Sequence, residues 1–462
     1  MFKKIQKYLL LNYPLLWNTK VIPTGAIVIG FNVLFFLLGF VSGYVDFQNQ
    51  EYYRRDNNII FFLITGLTST LVMIIWLVFY LKNNAFKSFY PKKAVSLYQE
   101  WGIAFLLLFG NCLYSFSYTQ GVETKEKSYA SLQEVLNARE LLTKIEILLP
   151  ESDDYYYLHK ASFSDSDSIQ AKDSISVSLL NFEKYYHSAE DTLLYNTVKK
   201  WLVEGQQDSI RNLMTQYLNL QKKHNVTTNL DVDTWMKLIY NPPNFPVSPS
   251  NYIKHYKSSY DTVSKYYVRY DTLYYGYLKI YDAYHNLYSM LDFILVTLYI
   301  ALSLSILLFS FRVTGGRSWL ISIVVAGLLA FINGIITAIF TIVGNSKGDN
   351  LLYLTIFYWS VLFLIMLIYV GRKILNTDSK GKSTVVLNLI LWMLPYLLML
   401  HYSGYMENDY DPNRDYYNER SFLYRFFKDY PSAFYWINLI FVFIILFFFS
   451  KIIKRWRALP EE

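Results

Sequence analysis

The sequence predicts an all-α polytopic membrane protein: about eight transmembrane helices, with a helical extracytoplasmic domain inserted between spans three and four. Three observations carry this. Hydrophobic residues make up 53% of the chain and aromatics 19%, and mean hydropathy is positive, which is more apolar than a soluble domain usually is. Charge-free stretches of about 20 residues recur along the chain, each long enough to cross a bilayer core. The Lys and Arg residues between them alternate between the two sides.

Residues 1–20 are a basic, cytoplasmic segment. Phe2, Ile5 and Leu9 share a helical face from which Lys3, Lys4 and Lys7 are excluded, so an interfacial helix on the inner membrane surface is one reading and a basic flank that only sets topology is the other. Pro14 interrupts this stretch and no small-residue cleavage site follows the first apolar run, which argues against a cleavable signal. Spans one to three occupy 21–45, 59–81 and 101–118, within a first membrane region over 21–118. Residues 119–290 form the inserted domain. Spans four to eight, within 291–450, fall at 293–311, 319–344, 351–371, 384–401 and 433–450, and a basic cytoplasmic tail covers 451–462.

Orientation follows from the short loops, because Lys and Arg near span ends stay cytoplasmic. Lys82, Lys87, Lys92 and Lys93 lie on one side with the N-terminus, together with Arg312, Arg317, Arg372, Lys373, Lys380 and Lys382, and Lys451, Lys454, Arg455 and Arg457 of the tail. The opposite loops hold Arg54, Arg55 and Lys347 and an acid-leaning stretch with Glu407, Asp409, Asp411, Asp415 and Glu419. Both termini are therefore expected inside, in a bacterial inner membrane. The +7 net charge reads as topology and calls for no nucleic-acid partner. The single cysteine, Cys112, falls inside span three, so no disulfide within the chain braces the inserted domain.

That domain reads as mostly helical. Leu132, Val135, Leu136, Leu142, Ile145 and Leu149 keep helical spacing, with Ser131 as a cap and Pro150 as a stop. A Ser/Asp-rich loop over 162–176 precedes helical tracts over 177–203, 209–223 and 235–240. The run from Asn241 to Pro249, with four prolines, is an elbow. After it, Tyr256, Tyr260, Val263, Tyr267, Tyr270, Tyr274, Tyr277, Tyr281, Tyr284, Tyr288 and Leu291 alternate at steps of four and three, which predicts a long Tyr-rich helix over 251–290. At 1.5 Å per residue its aqueous part would be about 50 Å long, running into span four as one rod. Tyr267, Tyr270 and Tyr274 mark its centre, as a packing seam or as a surface for a carbohydrate, peptide or extracytoplasmic protein partner.

Chemical motifs are few. No glycine-rich phosphate loop ends in Lys-Ser or Lys-Thr, so any ATP hydrolysis would belong to another chain. His159, His187, His224, His255, His285 and His401 lack the paired spacing of a helical zinc site. Asp165, Asp167 and Asp173 lack the glycine and the terminal glutamate of a calcium loop. No cofactor or metal is expected. No charge lies well inside a span, which is unlike proton-coupled carriers and ion pumps. The polar residues there are Asn32, Asn111, Asn333, Asn388 and Asn438 with scattered Ser and Thr. Asn333 with Gly334 is a place for close helix packing or a substrate path, interhelical hydrogen bonding being the plainer alternative, and Pro395 is expected to kink span seven.

The segment Lys7-Tyr8-Leu9-Leu10-Leu11-Asn12-Tyr13-Pro14-Leu15-Leu16-Trp17-Asn18-Thr19-Lys20 resembles the interfacial entry of ABC exporter membrane subunits that work with a separate ATP-binding subunit. The resemblance covers this segment and the general architecture, departs in span number and in the position of the inserted domain, and carries over no site residue. It implies a non-enzymatic transport component, an exporter permease or its accessory subunit, embedded in the lipid bilayer and partnered by a cytoplasmic ATPase subunit. Two other classes stay open. One is an outer-face lipid or glycan transferase using the acidic loops (Asp46, Glu51 and Asp56; Asp409, Asp411 and Asp415). The other is a membrane sensor or scaffold that reports a bound partner along the rod.

Overall fold

The computed structural model describes residues 7–8, 11, 19–48, 59–82, 94–149, 189–241, 253–254, 266–344, 348–375, 383–407 and 422–453. Among these lie fifteen helices. In chain order they begin with α1 (Val21–Ser42), α2 (Ile59–Lys82), α3 (Ala94–Cys112), α4 (Tyr114–Lys127), α5 (Leu132–Glu146), α6 (Ala189–Glu204), α7 (Gln207–Lys223) and α8 (Val232–Tyr240). A parallel pairing of β1 (Ile253–Lys254) with β2 (Tyr266–Tyr267) follows. Then come α9 (Tyr270–His285), α10 (Leu287–Val313), α11 (Gly316–Gly344), α12 (Gly348–Leu375), α13 (Ser383–Glu407), α14 (Phe422–Asp429) and α15 (Pro431–Ile453). The chain divides into two compact units: Met1–Phe35, Phe61–Ser117 and Tyr288–Glu462 form the first, Phe36–Ile60 and Tyr118–Leu287 the second.

Seven helices (α1, α2, α10, α11, α12, α13 and α15) are long and apolar enough to span a membrane, and α3 with α4 counts as an eighth only as a bent pair. The chain is an all-α polytopic membrane protein. Its apolar helices leave wide faces uncovered: none of the central stretch of α11 is buried by neighbours and only 6% of that of α12. In water such a surface would cost about 25 cal/mol per Å², whereas against lipid tails it costs nothing. The exception is α10, 61% buried; it is the axis of the first unit.

Polar side chains tie other helices to that axis. Trp101 of α3 donates its indole N–H to Ser305 Oγ of α10 at 3.1 Å, and Trp392 of α13 donates to Ser310 Oγ at 2.9 Å. Asn388 of α13 bonds Thr314, just past α10, and Ser322 of α11, at 3.1 and 3.0 Å. Asn438 of α15 reaches Tyr299 Oη of α10 and the carbonyl of Pro395 on α13, at 2.9 and 2.8 Å. The same chemistry joins α1 to α3, where Asn32 donates to Gly110 O, and α3 to α2, where Asn111 donates to Ser69 O. These are the interhelical bonds that polar groups in lipid are obliged to make.

The third span differs from its expected straight course over 101–118. Its helix starts earlier, at Ala94, and breaks at Leu113, where α3 and α4 are bent by 50°. Leu113 N–H makes only a long 3.3 Å contact, to Gly110 O. Side chains on both sides of the break bond to α2, Asn111 to Ser69 and Ser115 to Thr65.

In the second unit α5 to α9 pack around one core. Val135, Leu142 and Ile145 of α5, Ile210, Met214 and Tyr217 of α7, Trp235 of α8 and Leu273, Tyr277 and Ile280 of α9 are fully enclosed there. Ser131 caps α5 as expected by accepting from Glu134 N, and Asp231 caps α8 by accepting from Thr234 N. Leu132 and Leu136, expected on the buried face of α5, are exposed instead. The stretch after α1 belongs to the same core: Val45 and Phe47 are buried in it, and Lys279 Nζ donates to Tyr44 O at 2.6 Å.

The helix expected over 251–290 is shorter. Tyr266 and Tyr267 are in β2, α9 begins at Tyr270, and Asn286 separates it from α10. The cause is local capture of the backbone: Tyr267 N–H donates to Asn229 Oδ1 at 2.9 Å and Tyr267 O accepts from Thr228 Oγ1 at 2.7 Å, which holds the residue extended. Tyr256, Tyr260, Val263, the elbow over 241–249 beyond Asn241, and most of the N-terminal interfacial helix lie outside the described residues.

One contact in this unit leaves no room for a side chain. A Cβ on Gly121 of α4 would sit 2.0 Å from Phe36 O, and one on Gly39 of α1 would sit 2.0 Å from Tyr118 O, so α1 and α4 cross backbone to backbone. Gly334, by contrast, has open space around its Cβ position. Gly121→Ala is expected to cost about 1–3 kcal/mol by overpacking, read as a lowered thermal midpoint in detergent. Gly334→Ala should leave that midpoint unchanged or raise it slightly; equal losses in the two variants would contradict the crossing.

Candidate functional site

The start of α3 and the end of α10 run side by side in opposite directions, which brings Glu100 and Arg312 together. Their ion pair is 2.6 Å long, with the Arg312 side chain only 4% exposed and Glu100 24%. Aromatic rings wall it in. Trp76 and Tyr80 of α2, Trp101 of α3 and Phe309 of α10 line a cavity of about 40 Å³ with Thr19 and Ser305, which is room for one or two waters. The walls are held: Trp76 Nε1 donates to Thr19 O at 3.1 Å, Trp101 Nε1 is taken by Ser305 as above, and the rings of Trp76 and Tyr80 lie 5.1 Å apart.

The local reasons are simple. Glu100 lies nearly two turns inside α3 because that helix starts at Ala94, and its neighbour Trp101 points the same stretch into the bundle. Arg312 lies in the last turn of α10, where a cation also suits the carbonyl end of the helix. A guanidinium and a carboxylate facing a water-sized void can separate, take up water between them and close again. They hold no nucleophile–base arrangement. Among the described residues no three His, Cys, Asp or Glu side chains converge to hold a metal.

Sequence analysis places Arg312 on a cytoplasmic flank and starts span three at Trp101, which leaves Glu100 just outside it. A signal was present: Glu100 is the only acid between Lys82 and Trp101 on a side otherwise rich in lysine. An acid there opposes the charge bias of the loop and needs another reason for its position.

The residues singled out from sequence fare differently. Pro395 lies inside α13 as expected, with its carbonyl bound by Asn438. Asn333 and Gly334 lie on α11, but Gly334 touches nothing at its Cβ position and supports no close packing, and Asn333 Oδ1 is enclosed without a hydrogen-bond partner among the described residues. Tyr270 and Tyr274 pack into the second unit, their rings stacked 5.7 Å apart, while Tyr267 is held through its backbone in β2. Further along α9, Arg139 lies over the Tyr281 ring at 3.7 Å and Tyr284 Oη donates to Ala130 O at 3.1 Å. These tyrosines are a seam between α9 and α5. Of the acidic loops, Asp46 accepts from Gln48 N at 2.7 Å, and Glu51, Asp56, Asp409, Asp411 and Asp415 lie outside the described residues.

A second polar group that sequence did not mark sits in the second unit. His224 Nε2 meets Tyr277 Oη at 2.7 Å, and the Phe47 ring stacks on the imidazole at 3.9 Å. Gly276 makes room, since a Cβ there would fall 2.5 Å from Phe47. Burial holds the imidazole below its ordinary 6.5, Lys223 pushes the same way, and Glu134 opposes both.

Two outcomes test these groups. Glu100→Gln strands the buried Arg312 and is expected to cost about 3 kcal/mol, while Glu100→Gln with Arg312→Met recovers most of the loss; denaturation in lipid nanodiscs measures both, and an unchanged single variant would contradict the pair. For His224 the unfolded chain takes up a proton before the folded one, so its contribution is complete above pH 6.5 and is lost as pH falls through the depressed folded value. The midpoint difference between the wild type and His224→Gln should therefore shrink from pH 7.5 to 5. No family model, curated protein or solved structure matches this chain.

Proposed function

We propose that this chain is the membrane component of a transport system, an ABC-type exporter permease or its accessory subunit, with ATP hydrolysed by another chain. The observation that carries the proposal is the Glu100–Arg312 pair beside a water-sized cavity, among apolar helices whose other charges lie near their ends. A buried ion pair is a poor source of stability, because desolvation offsets most of its attraction. Its better-attested use is to select between arrangements, and an ionisable group among membrane spans is a functional position by default.

The placement favours this reading. Thr19, Tyr80, Glu100 and Arg312 come from four chain segments that meet at one end of the helices, and the lysines at 82, 87, 92 and 93 and Arg317 flank that end in sequence. With the N-terminus inside, the cluster faces the cytoplasm, where a soluble ATPase would dock, and the second unit becomes the extracytoplasmic domain. The absence of a phosphate loop in the sequence and the exporter-like segment over 7–20 agree with hydrolysis in a partner, in a bacterial inner membrane.

Affinity capture of the full chain from native membranes is the test. An ATP-hydrolysing protein should accompany it in stoichiometric amount, and Glu100→Gln should keep that association while lowering the ATPase rate of the complex several-fold. A purified complex with no ATPase chain would overturn the proposal.

A further inference from the structure

We infer that α14 is a bilayer-surface helix: the lipid headgroup layer is the third wall of its environment, beside α13 and α15. This inference rests on α15 being a membrane span and is independent of what the protein transports. α14 ends at Asp429, and Tyr430 alone separates it from Pro431, where the apolar helix α15 begins. So short a connection holds α14 at the level where α15 leaves the apolar layer.

The faces of α14 divide three ways. Toward the protein, Tyr424 is buried against Tyr405, the two rings 6.1 Å apart, and Phe427 packs on Tyr402 and Phe434 at 5.7 and 5.5 Å. Along one flank, Phe422, Phe426 and Tyr430 make an aromatic ridge with ring separations of 6.3 and 5.6 Å. Phe422 and Tyr430 are 73% and 61% exposed, and Leu423 beside them 59%. At about 100° per residue the other flank carries Arg425 and Lys428, with Asp429 at its border with Phe422.

Protein on one side, aromatic and aliphatic rings on the second and charge on the third is the division that a helix at a bilayer boundary needs. Its rings then meet the acyl–headgroup region and its charges meet water. The apolar flank also continues a surface already exposed on α15, at Ile437, Ile440, Phe441 and Ile444. A water-facing α14 would leave three large apolar residues solvated, and Arg425 and Lys428 would have no reason to keep to a flank of their own.

Spin labels placed on the full chain in vesicles of mixed zwitterionic and anionic phospholipids test this, in a Cys112→Ser background. Collision with oxygen, which concentrates in lipid, is compared with collision with a water-soluble nickel chelate. Labels at Phe422→Cys and Leu423→Cys should favour oxygen several-fold, Lys428→Cys should favour nickel, and Phe441→Cys on α15 should favour oxygen strongly. Nickel access at 422 and 423 with oxygen access kept at 441 overturns the surface helix and leaves the span intact. Exclusion of both reagents from 422 and 423 also overturns it, since a protein surface then covers the flank. Nickel access at 441 removes the span and the inference together.

Discussion

Lipid tails are as apolar as leucine, so the helices of the first unit gain little by burying leucine against one another, and polar side chains must fix their arrangement. α10 is where those side chains meet. Two indoles and two carboxamides from α3, α13 and α15 converge on its Ser305, Ser310 and Tyr299 and on Thr314 just past its end. Each bond removes a group that would be stranded in hydrocarbon, and each fixes one helix in rotation as well as in distance. α11 and α12 pack on α13 and keep their remaining faces open to lipid.

Within that scheme the Glu100–Arg312 pair stands apart, because it is ionic and because it is not packed to native density. The indoles around it are anchored by their own hydrogen bonds, so the void beside the pair is maintained by the walls rather than by disorder in them. The pair lies next to room for water at one end of the helices, and the helix that carries Glu100 breaks at Leu113.

The second unit is held by different physics. Its core is that of a soluble helical domain, with Trp235, Tyr217 and Tyr277 enclosed and the helix ends capped. The glycine crossing of α1 with α4 works where a membrane helix would use it, through backbone proximity. Phe47, stacked on His224 in the space left by Gly276, binds the segment after α1 into that core. The tyrosines of α9 serve the same domain, covering α5 with their rings, and the Tyr284 hydroxyl reaches the Ala130 carbonyl just before it.

The class of the protein was legible in the chain because it depends on composition and length alone: charge-free runs of about 20 residues are helices in any arrangement that puts them in lipid. The cap at Ser131, the helix of α7 and the proline within α13 are equally local, and local signals survive folding. Three things were decided by contacts distant in sequence. Tyr267 left the predicted helix because Thr228 and Asn229 bind its backbone, a bond no periodicity announces. Gly334 and Gly121 look alike in the sequence, yet only the second lies where another backbone passes. Arg312, a flanking charge in the sequence, and Glu100 became a site only when two antiparallel helices placed them 2.6 Å apart. A one-dimensional pattern reports how each residue prefers to meet water or lipid, and it carries no record of which distant residue will stand opposite.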